Sequence, residues 1–307
     1  MNRIFFHRAD FDGKCSGAIA RLWTQFSGHY ESFYLYPFNY DMEIPIDEFD
    51  RGKDKIFFLD VTVNPYTKIK DLIDQGYDVT ICDHHQTFLD TGIHKFAHGN
   101  CSLDKSGCEL SWEYFFPNKP MPEFVRLLGR YDIWDNTDKT MWEERALPLQ
   151  YGLKNREHDI IKNFDLWLNL FDEEFNGNHT LLNTLIHEGK MLLDYQRNSY
   201  KNLFYHYYFE ASFDGYPEYK VLCLNSPGGN SALFESQWDE EKYDAMFAFA
   251  FNGKTWNCSI YSTKKDIDFS KIAVGFGGGG HKSACGFQAN SVLVKDNKIY
   301  IDPTMKA

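Results

Sequence analysis

Short apolar runs alternate with stretches of helical spacing along the first half of the chain. Apolar residues recur at helical spacing from about Cys15 to Phe26, and Asn64 with Pro65 supplies an N-cap and a first-turn proline for a helix that runs to Ile73. Strands that alternate with helices in this way pair in parallel, because parallel neighbours need crossover connections. The predicted strands are Asn2 to His7, Glu31 to Tyr36, Lys55 to Asp60 and Tyr77 to Cys82.

The pattern changes twice in the rest of the chain. It is helical from about Ser106 to Phe171, and helical spacing continues through NHTLLNTLIHEGKMLLDYQRNSYKNLF, which predicts one long connecting helix. From roughly Phe209 onward strand-like runs dominate, among them YKVLCLN, YDAMFAFAF and TWNCSIYS. We therefore predict an α/β fold in which a doubly wound parallel-sheet domain is joined by a long helix to a smaller mixed α/β domain. The expected boundaries are 1–180, 181–212 and 213–307.

Acids and histidines follow three of these apolar runs, at the point where each predicted strand ends. They are His7, Asp10 and Asp12 after the first run, Asp60 at the end of the third, and Asp83, His84 and His85 after the fourth. Ligands of parallel sheets gather beyond the carboxyl ends of the strands, so these side chains are expected to meet. Carboxylate-rich sets without thiolate suit Mn²⁺ or Mg²⁺. Two such cations would relieve the repulsion among the acids and clamp an in-line displacement at phosphorus.

Each of these motifs also has an ordinary structural interpretation when it stands alone. Asp-x-Asp-Gly, which contains Asp10 and Asp12, is typical of a turn, and Asp60 could cap a helix. Asp132, in GRYDIWD, falls at a predicted helix end where a solvated or capping role is plausible, and Asp135 could compete with it for a place in the site. The joint occurrence on three strand ends is what favours a metal site.

The glycine-rich segment GFGGGGHKSACGF forms a second candidate site. Its consecutive glycines at 277–280 would let backbone N–H groups approach an anion, as phosphate-binding nests do, and His281 could donate to a phosphate. The alternative is a flexible loop, which glycine runs usually form. The segment lies between a predicted helix, FSKIAVGF, and an apolar strand, ACGF, so a binding role is favoured over a simple linker.

Composition and charge limit the kind of partner. The chain has 307 residues, of which 43% are hydrophobic, and its net charge is -12 with no basic run. A protein that bound long nucleic acid would need a local Lys/Arg track to overcome such an acidic field. We therefore expect a short substrate and no binding of long duplexes.

Cysteines and apolar segments give no sign of secretion or of a membrane span. The seven cysteines include no CxxC pair, so neither a disulfide framework nor a zinc knuckle is indicated. No apolar run has membrane-spanning length, and the first residues do not resemble a signal peptide. We therefore expect a cytoplasmic protein without membrane partners, and leave open whether it forms a homodimer.

Five segments, in order, resemble the motifs of the DHH phosphoesterase superfamily. They are HRADFDG, LDVTV, CDHHQT, LGRYDIWD and, at the C-terminal end, GFGGGGHKSACGF, which is similar to the GGGH signature of the DHH-associated domain. The resemblance covers nearly the whole chain. It implies a two-domain hydrolase with two manganese ions on the larger domain.

The resemblance also implies roles for individual residues. One ion would be held by His7, Asp10 and Asp60, and the other by Asp12, Asp60, His84 and Asp132, with Asp60 as the bridge. Asp83 would orient a ligand imidazole, and His85 would contact the scissile phosphate or protonate the leaving oxygen. Substrate would be held by Gly278, Gly279, Gly280 and His281.

Two positions differ from the motifs of many members. Only Arg8 and Ala9 separate His7 from Asp10, where many members have three residues, and this leaves open whether His7 is a ligand. Tyr261 stands where several nuclease members carry an arginine that would contact substrate phosphate. A tyrosine at this substrate-binding position could instead stack on a base.

These observations predict a Mn²⁺-dependent phosphoesterase, with Mg²⁺ as an alternative ion. It would hydrolyse phosphodiester bonds in short oligonucleotides or linear dinucleotides by two-metal activation of water, with His85 and Asp83 as catalytic residues. Removal of the 3′ phosphate from 3′-phosphoadenosine 5′-phosphate is an enzymatic alternative. A catalytically silent nucleotide-binding regulator is an alternative of another class. Cleavage polarity, a preference for RNA or DNA, and action on cyclic dinucleotides stay open.

Overall fold

A computed structural model describes residues 1–26, 33–40, 42–227 and 231–304 of the chain. By its contacts the chain divides into two units, Met1–Leu193 and Asp194–Ala307. The domain boundaries expected at 180 and 212 stay a prediction. Across the described ranges, no helix combines the length and the apolar character needed to cross a membrane.

The first unit is built on a parallel four-stranded sheet. Its strands are β1 (Asn2–His7), β2 (Phe33–Phe38), β3 (Lys55–Leu59) and β4 (Asp78–Cys82). The spatial order is β2-β1-β3-β4, and all three pairings are parallel. This confirms the predicted parallel sheet. Residues 31 and 32, where the second strand was predicted to begin, lie outside the described residues, and β2 ends at Phe38, two positions later than expected.

Helices fill the rest of this unit and continue into the second. The α-helices are α1 (Phe11–Phe26), α2 (Thr67–Asp74), α3 (Gln86–Leu89), α4 (Gly107–Phe115), α5 (Glu123–Asp132), α6 (Lys139–Met141), α7 (Leu147–Lys154), α8 (Asp165–Phe175) and α9 (Thr180–Tyr207). A π-helix, Trp142–Ala146, joins α6 to α7, and short 3₁₀ helices cover Ile46–Glu48 and Ile93–Phe96. The single long helix predicted from the sequence is α9.

Both faces of β1, β3 and β4 are buried, which is why these strands read as nearly continuous apolar runs, whereas the edge strand β2 is mostly half-buried. Successive side chains of β1 alternate between faces. Ile4 and Phe6 join the core that includes residues of α1, α4 and α5, whereas Phe5 joins a separate core on the other face with Ile69 of α2. This two-sided burial confirms the predicted doubly wound arrangement.

Two helix starts differ from the prediction. The helix expected from Cys15 begins at Phe11, because the Asp10 side chain accepts a hydrogen bond from the Gly13 N–H (2.9 Å), as N-cap residues do. Asn64 was wrong as an N-cap and Pro65 as a first-turn proline, since α2 starts only at Thr67 and Tyr66 precedes it.

The second unit contains a mixed seven-stranded sheet. Its elements are β5 (Tyr208–Phe213), β6 (Tyr216–Asn225), a 3₁₀ helix (Ser231–Phe234), β7 (Ala245–Phe251), β8 (Trp256–Tyr261), α10 (Ser270–Gly275), β9 (Gly279–His281), β10 (Ala284–Lys295) and β11 (Lys298–Pro303). The order is β11-β5-β6-β7-β8-β10-β9, and β11 also pairs with β10. Phe247 of β7 packs with Ile272 of α10 on one face, and Met246 packs with Phe204 of α9 on the other. This unit confirms the predicted smaller mixed α/β domain.

A buried ion pair between Arg3 and Asp54 links the amino end of β1 to the segment before β3. The Arg3 Nε donates to Asp54 Oδ2 (2.9 Å), and its other nitrogens donate to the Tyr36 hydroxyl and the Glu48 carbonyl, each at 2.9 Å. Burial alone would raise the pKa of Asp54, but the Asp50 N–H and the Arg3 guanidinium outweigh it and hold that pKa below its usual value. The pair therefore stabilises the fold only while Asp54 is charged.

We expect Asp54→Asn to lower the free energy of unfolding by about 3 kcal/mol at pH 7, because it leaves the Arg3 guanidinium buried without its anion. A carboxylate with a lowered folded-state pKa stabilises the fold above its unfolded value of about 3.9 and loses that effect as the pH falls through the folded value. The difference in the free energy of unfolding between Asp54→Asn and the wild type should therefore become smaller below about pH 4. Urea denaturation at pH 7 and pH 3 measures both quantities.

The matched control is Asp74→Asn, which removes the exposed partner of Lys70 on the same unit. It should change stability by less than about 1 kcal/mol at either pH. A difference for Asp54→Asn that stayed constant between pH 7 and pH 3 would contradict a charge-dependent role for the pair.

Candidate metal centre

The carboxyl ends of β1, β3 and β4 lie level with one another. Phe6 is in register with Leu59, and Leu59 with Cys82, so the next residue of each strand falls at the same sheet edge. The Asp60 N–H donates to the Cys82 carbonyl (2.8 Å), which continues the ladder one step beyond β3. The side chains after these strands therefore meet at one edge, as the sequence predicted.

Asp60 lies at the centre of this edge. Its side chain is almost fully buried, and its backbone has a φ of 57°, a left-handed conformation that is uncommon for residues other than glycine. The Asp60 Oδ2 is 3.6 Å from His7 Nδ1, and Asp60 Oδ1 is 3.3 Å from His84 Nε2. One carboxylate thus faces two imidazoles from opposite sides. Strained backbone of this kind concentrates at functional sites.

His7 and Asp10 lie on one side of Asp60. The His7 Nδ1 is 2.8 Å from Asp10 Oδ2, and the Asp10 side chain is partly exposed, so this corner of the site faces solvent. Asp10 Oδ1 is taken by the Gly13 N–H. His7, which the sequence left open as a ligand, therefore stands together with Asp10 and Asp60.

His84 and Asp132 lie on the other side, with Asp12 behind them. The His84 Nε2 is 3.1 Å from Asp132 Oδ2 and 3.8 Å from Asp12 Oδ2. Asp132 is the last residue of α5, as predicted, and its side chain points into the site. Asp135 does not take its place, since Asp135 pairs with Arg130 (3.3 Å) and accepts hydrogen bonds from Thr137.

The N-terminus of α4 holds Asp12 in position. The Gly107 N–H donates to Asp12 Oδ2 (2.7 Å) and the Cys108 N–H donates to Asp12 Oδ1 (2.8 Å). The helix itself begins with a capping box between Ser106 and Glu109. A Cβ at position 107 would overlap the Asp60 side chain, so glycine is required for this approach. The capping-box pattern S-x-x-E was visible in the sequence, but its contact with Asp12 was not.

The acids and imidazoles perturb one another's protonation. Burial would lower the pKa of both histidines, but nearby carboxylates outweigh it and raise the pKa of His7 to about 10 and that of His84 to about 11. Burial followed by repulsion from Asp60 and Asp132 raises the pKa of Asp12, and burial likewise raises that of Asp132. The pKa of Asp60 shifts in the other direction. Burial would raise it, but the contacts with His7 and His84 outweigh burial and lower the pKa of Asp60 to about 2.

The residues present fit a divalent cation centre. The site contains three sets of three residues, and within each set the potential ligand atoms all lie within 4.8 Å of one another. The sets are His7, Asp10 and Asp60; Asp12, His84 and Asp132; and Asp60, His84 and His85. Two buried atoms among them, His7 Nδ1 and Asp60 Oδ1, lie close to charged partners but make no well-aligned hydrogen bond within the described part of the chain, which is costly unless something else pairs with them. Cys82 is buried in the hydrophobic core, so the donors are oxygen and imidazole nitrogen, as Mn²⁺ and Mg²⁺ accept.

Asp83 and His85 form a separate arrangement beside these ligands. Asp83 is fully buried, and its Oδ1 accepts from the His85 backbone N–H (2.8 Å) and lies 2.8 Å from His85 Nδ1. On the other side of the ring, His85 Nε2 is 3.0 Å from the Tyr40 hydroxyl. Asp83 therefore orients His85 rather than His84. Tyr40 was missed in the sequence, because nothing in its surroundings marks a residue just after β2 as part of the site.

The glycine-rich segment and Tyr261 belong to the second unit. Gly279 to His281 form the edge strand β9, which pairs with β10, and the Gly278 N–H donates to the Ala273 carbonyl (2.8 Å) at the end of α10. The Gly278 amide is therefore not available to an anion as an open nest would require. Tyr261 ends β8 opposite Ala284. A substrate-binding role for Gly278, Gly279, Gly280, His281 and Tyr261 stays a prediction.

Comparison with known proteins shows which sequences this chain is similar to. No family model matches the chain. An uncharacterized protein of Acanthamoeba polyphaga mimivirus is 26% identical over 234 residues, which are 74% of this chain and 51% of that protein. The chain thus spans about half the length of this relative.

Solved structures give a further likeness. A DHH domain from a member of a family of ribosomal proteins is 12% identical, with a TM-score of 0.54 over 93% of this chain and 82% of that one. A pGpG-specific phosphodiesterase from Vibrio cholerae is 14% identical, with a TM-score of 0.49 over 94% and 93% of the two chains. The first likeness extends over both units of the chain. The protein therefore has the fold of a DHH-domain protein, which the order of its motifs predicted.

Proposed function

We propose that this protein is a Mn²⁺-dependent phosphoesterase that hydrolyses phosphodiester bonds in short oligonucleotides or linear dinucleotides. The observation that carries the proposal is the convergence of Asp10, Asp12, Asp60 and Asp132 with two imidazoles at one sheet edge. Several acids from separate segments repel one another at such short distances, and divalent cations would offset that part of the repulsion that the histidines and the α4 amides do not. Their order along the chain also follows the motifs of the DHH phosphoesterases.

The ligand sets divide naturally between two positions. His7, Asp10 and Asp60 would hold one cation, and Asp12, His84 and Asp132 would hold the other, with Asp60 between them. Two such ions supply charge neutralisation at the phosphate and a water nucleophile that is active near neutral pH. The chain's own part is to fix the ligands, and Gly107 and Cys108 do so by holding both oxygens of Asp12.

In this proposal, His85 moves a proton to the leaving oxygen. Burial would lower its pKa, but its contact with Asp83 outweighs burial and raises the pKa of His85 above the ordinary value. Because Nδ1 lies against Asp83, the transferable proton is the one on Nε2, beside the Tyr40 hydroxyl. The third ligand-like set, which joins His85 to Asp60 and His84, supports a position of this ring in the same space as the metal ligands.

The expected substrate is short because the protein offers a polyanion little positive surface. The net charge is -12, so affinity for nucleic acid must arise from cations and local contacts rather than from long-range attraction. The charge of a substrate with one or two phosphates could be neutralised by the cations of the metal centre alone.

A substrate panel tests the proposal directly. Purified protein with Mn²⁺ is incubated with a linear dinucleotide, short RNA, short DNA, a cyclic dinucleotide and 3′-phosphoadenosine 5′-phosphate, and products are separated by chromatography. We expect hydrolysis of the linear dinucleotide and short oligomers. Turnover of 3′-phosphoadenosine 5′-phosphate alone would replace the proposal with the phosphatase alternative. No turnover, with metal bound, would support the silent regulator.

Asp60→Asn should impair both metal positions at once. We expect metal stoichiometry, measured by elemental analysis after dialysis, to fall, and kcat/KM to drop by at least about a hundredfold, since even outer partners of metal ligands are worth 10–100-fold. Asp135→Asn is the matched control, because Asp135 is a neighbouring acid that pairs with Arg130 instead. Equal stoichiometry and activity in the two variants would contradict the assigned bridge.

Metal binding should release protons. His7 and His84, with pKa values of about 10 and about 11, are protonated at pH 7 in the cation-free protein, and a ligand imidazole must be neutral. Titration calorimetry in buffers of different ionisation enthalpy should show at least about two protons released on full loading, one from each imidazole. Apparent affinity should accordingly rise with pH between about 6 and 9.

The variant His84→Gln isolates one of these protons. It should lower the number released by about one while weakening metal binding. Binding heats that did not depend on the buffer would contradict the protonated state of the two imidazoles in the cation-free protein.

A further inference from the structure

We propose that Trp134 is a stacking platform for the base of the nucleotide whose phosphate lies at the metal centre. The inference rests on the proposed function and gives a role to a residue of the LGRYDIWD segment that belongs to none of the ligand sets. Trp134 lies in the turn after α5, in the same unit as the metal site. Three independent features of this residue point to a ligand.

The first feature is exposure. Trp134 is 62% exposed, whereas Trp142, which packs against it, is only 7% exposed. The two indole rings meet edge to face with their centroids 5.0 Å apart, and the Tyr131 ring lies 5.8 Å from Trp134. Tyr131 and Trp142 are themselves stacked at 5.7 Å. The neighbouring aromatic rings pack against the exposed indole and restrict its orientation.

The second feature is the backbone. Trp134 has a φ of 56°, a conformation that is an outlier for a bulky residue and that glycine or asparagine adopts at lower cost. Hydrogen bonds impose it: the Trp134 N–H donates to the Tyr131 carbonyl (3.2 Å), and the Asn136 N–H donates to the Trp134 carbonyl (3.0 Å). A strained conformation that persists with so large an exposed side chain is expected where the side chain has a function.

The third feature is position. Trp134 follows Asp132 by two residues, so their Cα atoms are at most about 7 Å apart. Asp132 Oδ2 is 3.1 Å from His84 Nε2, which places the turn directly beside the ligand set. A base joined through its sugar to a phosphate at that site would reach the neighbouring turn. Trp134 is thus near enough to contact substrate without being a ligand itself.

Stacking also suits an acidic protein. Every base has an aromatic face, so contact with an indole adds affinity without positive charge and with little sequence preference. We therefore expect the enzyme to prefer nucleotides to sugar phosphates and to discriminate weakly among bases. This contact is separate from the one predicted for Tyr261, which belongs to the second unit.

The test compares substrates with and without a base. In Trp134→Leu, KM for a linear dinucleotide should rise about 5- to 150-fold, as expected for the loss of one stacked base, while kcat changes little. The abasic dinucleotide should show no such change. Trp134→Phe should retain most of the affinity. Phe96→Leu is the matched control, because Phe96 is 64% exposed in the same unit, and it should behave like wild type.

A second variant, Trp134→Asn, controls for the chance that Trp134→Leu raises KM because it misfolds. Asparagine tolerates the left-handed conformation, so this variant should fold while losing the stacking contact. If it shows the same rise in KM as Trp134→Leu, the role of the indole is confirmed. If both variants leave the KM ratio of dinucleotide to abasic substrate unchanged, or lower kcat alone, the proposal is overturned.

A binding measurement separates this proposal from the proposed function. Adenosine 5′-monophosphate should quench the fluorescence of the wild-type protein more than that of Trp134→Phe, and ribose 5-phosphate should quench neither. This outcome would support stacking even if every substrate in the panel were left intact, in which case only the catalytic assignment would fail. Equal quenching in both proteins would reject the platform.

Discussion

The mutual repulsion of buried carboxylates is the constraint on which the first unit depends. Asp12, Asp60 and Asp132 lie around one imidazole, His84, at distances of 3.1–3.8 Å. Charges so close together in a poorly solvated site cannot all ionise unless something offsets them. The protein supplies part of the offset through the histidines and through the amides at the start of α4. The remainder is what a divalent cation would provide, so the same groups that repel one another select the ligand.

Rigid backbone elements keep these carboxylates from moving apart. Asp60 is fixed by the ladder of β3 and by a left-handed backbone conformation, and Gly107 lets α4 approach it closely. Asp132 is attached to the end of α5, whose Gly129 packs against the Ser106–Glu109 capping box. Movement of α4 would thus displace two ligands at once. The site is therefore a property of how α4 and α5 pack on the sheet edge, and not of the loops alone.

The sequence allowed the sheet, and the meeting of acids and imidazoles at its edge, to be predicted because both follow local rules. Apolar runs mark strands, and acids that follow parallel strands must share an edge, so Asp60 and His84 could be placed without coordinates. Tyr40 could not be found in this way, since its contact with His85 joins segments that only the folded chain brings together. Asn64 was misplaced as a cap because a residue type that favours N-caps does not by itself begin a helix, and α2 starts only at Thr67. The glycine run was predicted as an open nest, but pairing with β10 makes part of it an edge strand.

Acidic character and a polyanionic substrate are compatible only if affinity is local. At moderate salt, forces between exposed charges are largely screened beyond about 10 Å. A cation held by several carboxylates would instead act directly on the one phosphate that reaches it. An aromatic surface such as Trp134 acts over contact distance and is indifferent to charge. In the proposed enzyme, a site made of these two components would bind the end of a chain or a very short one, because a longer polyanion would gain nothing further and would be repelled by the rest of the acidic surface. The proposed substrate length would in this sense follow from the charge of the whole protein, and the proposed bond cleavage from the residues at the sheet edge.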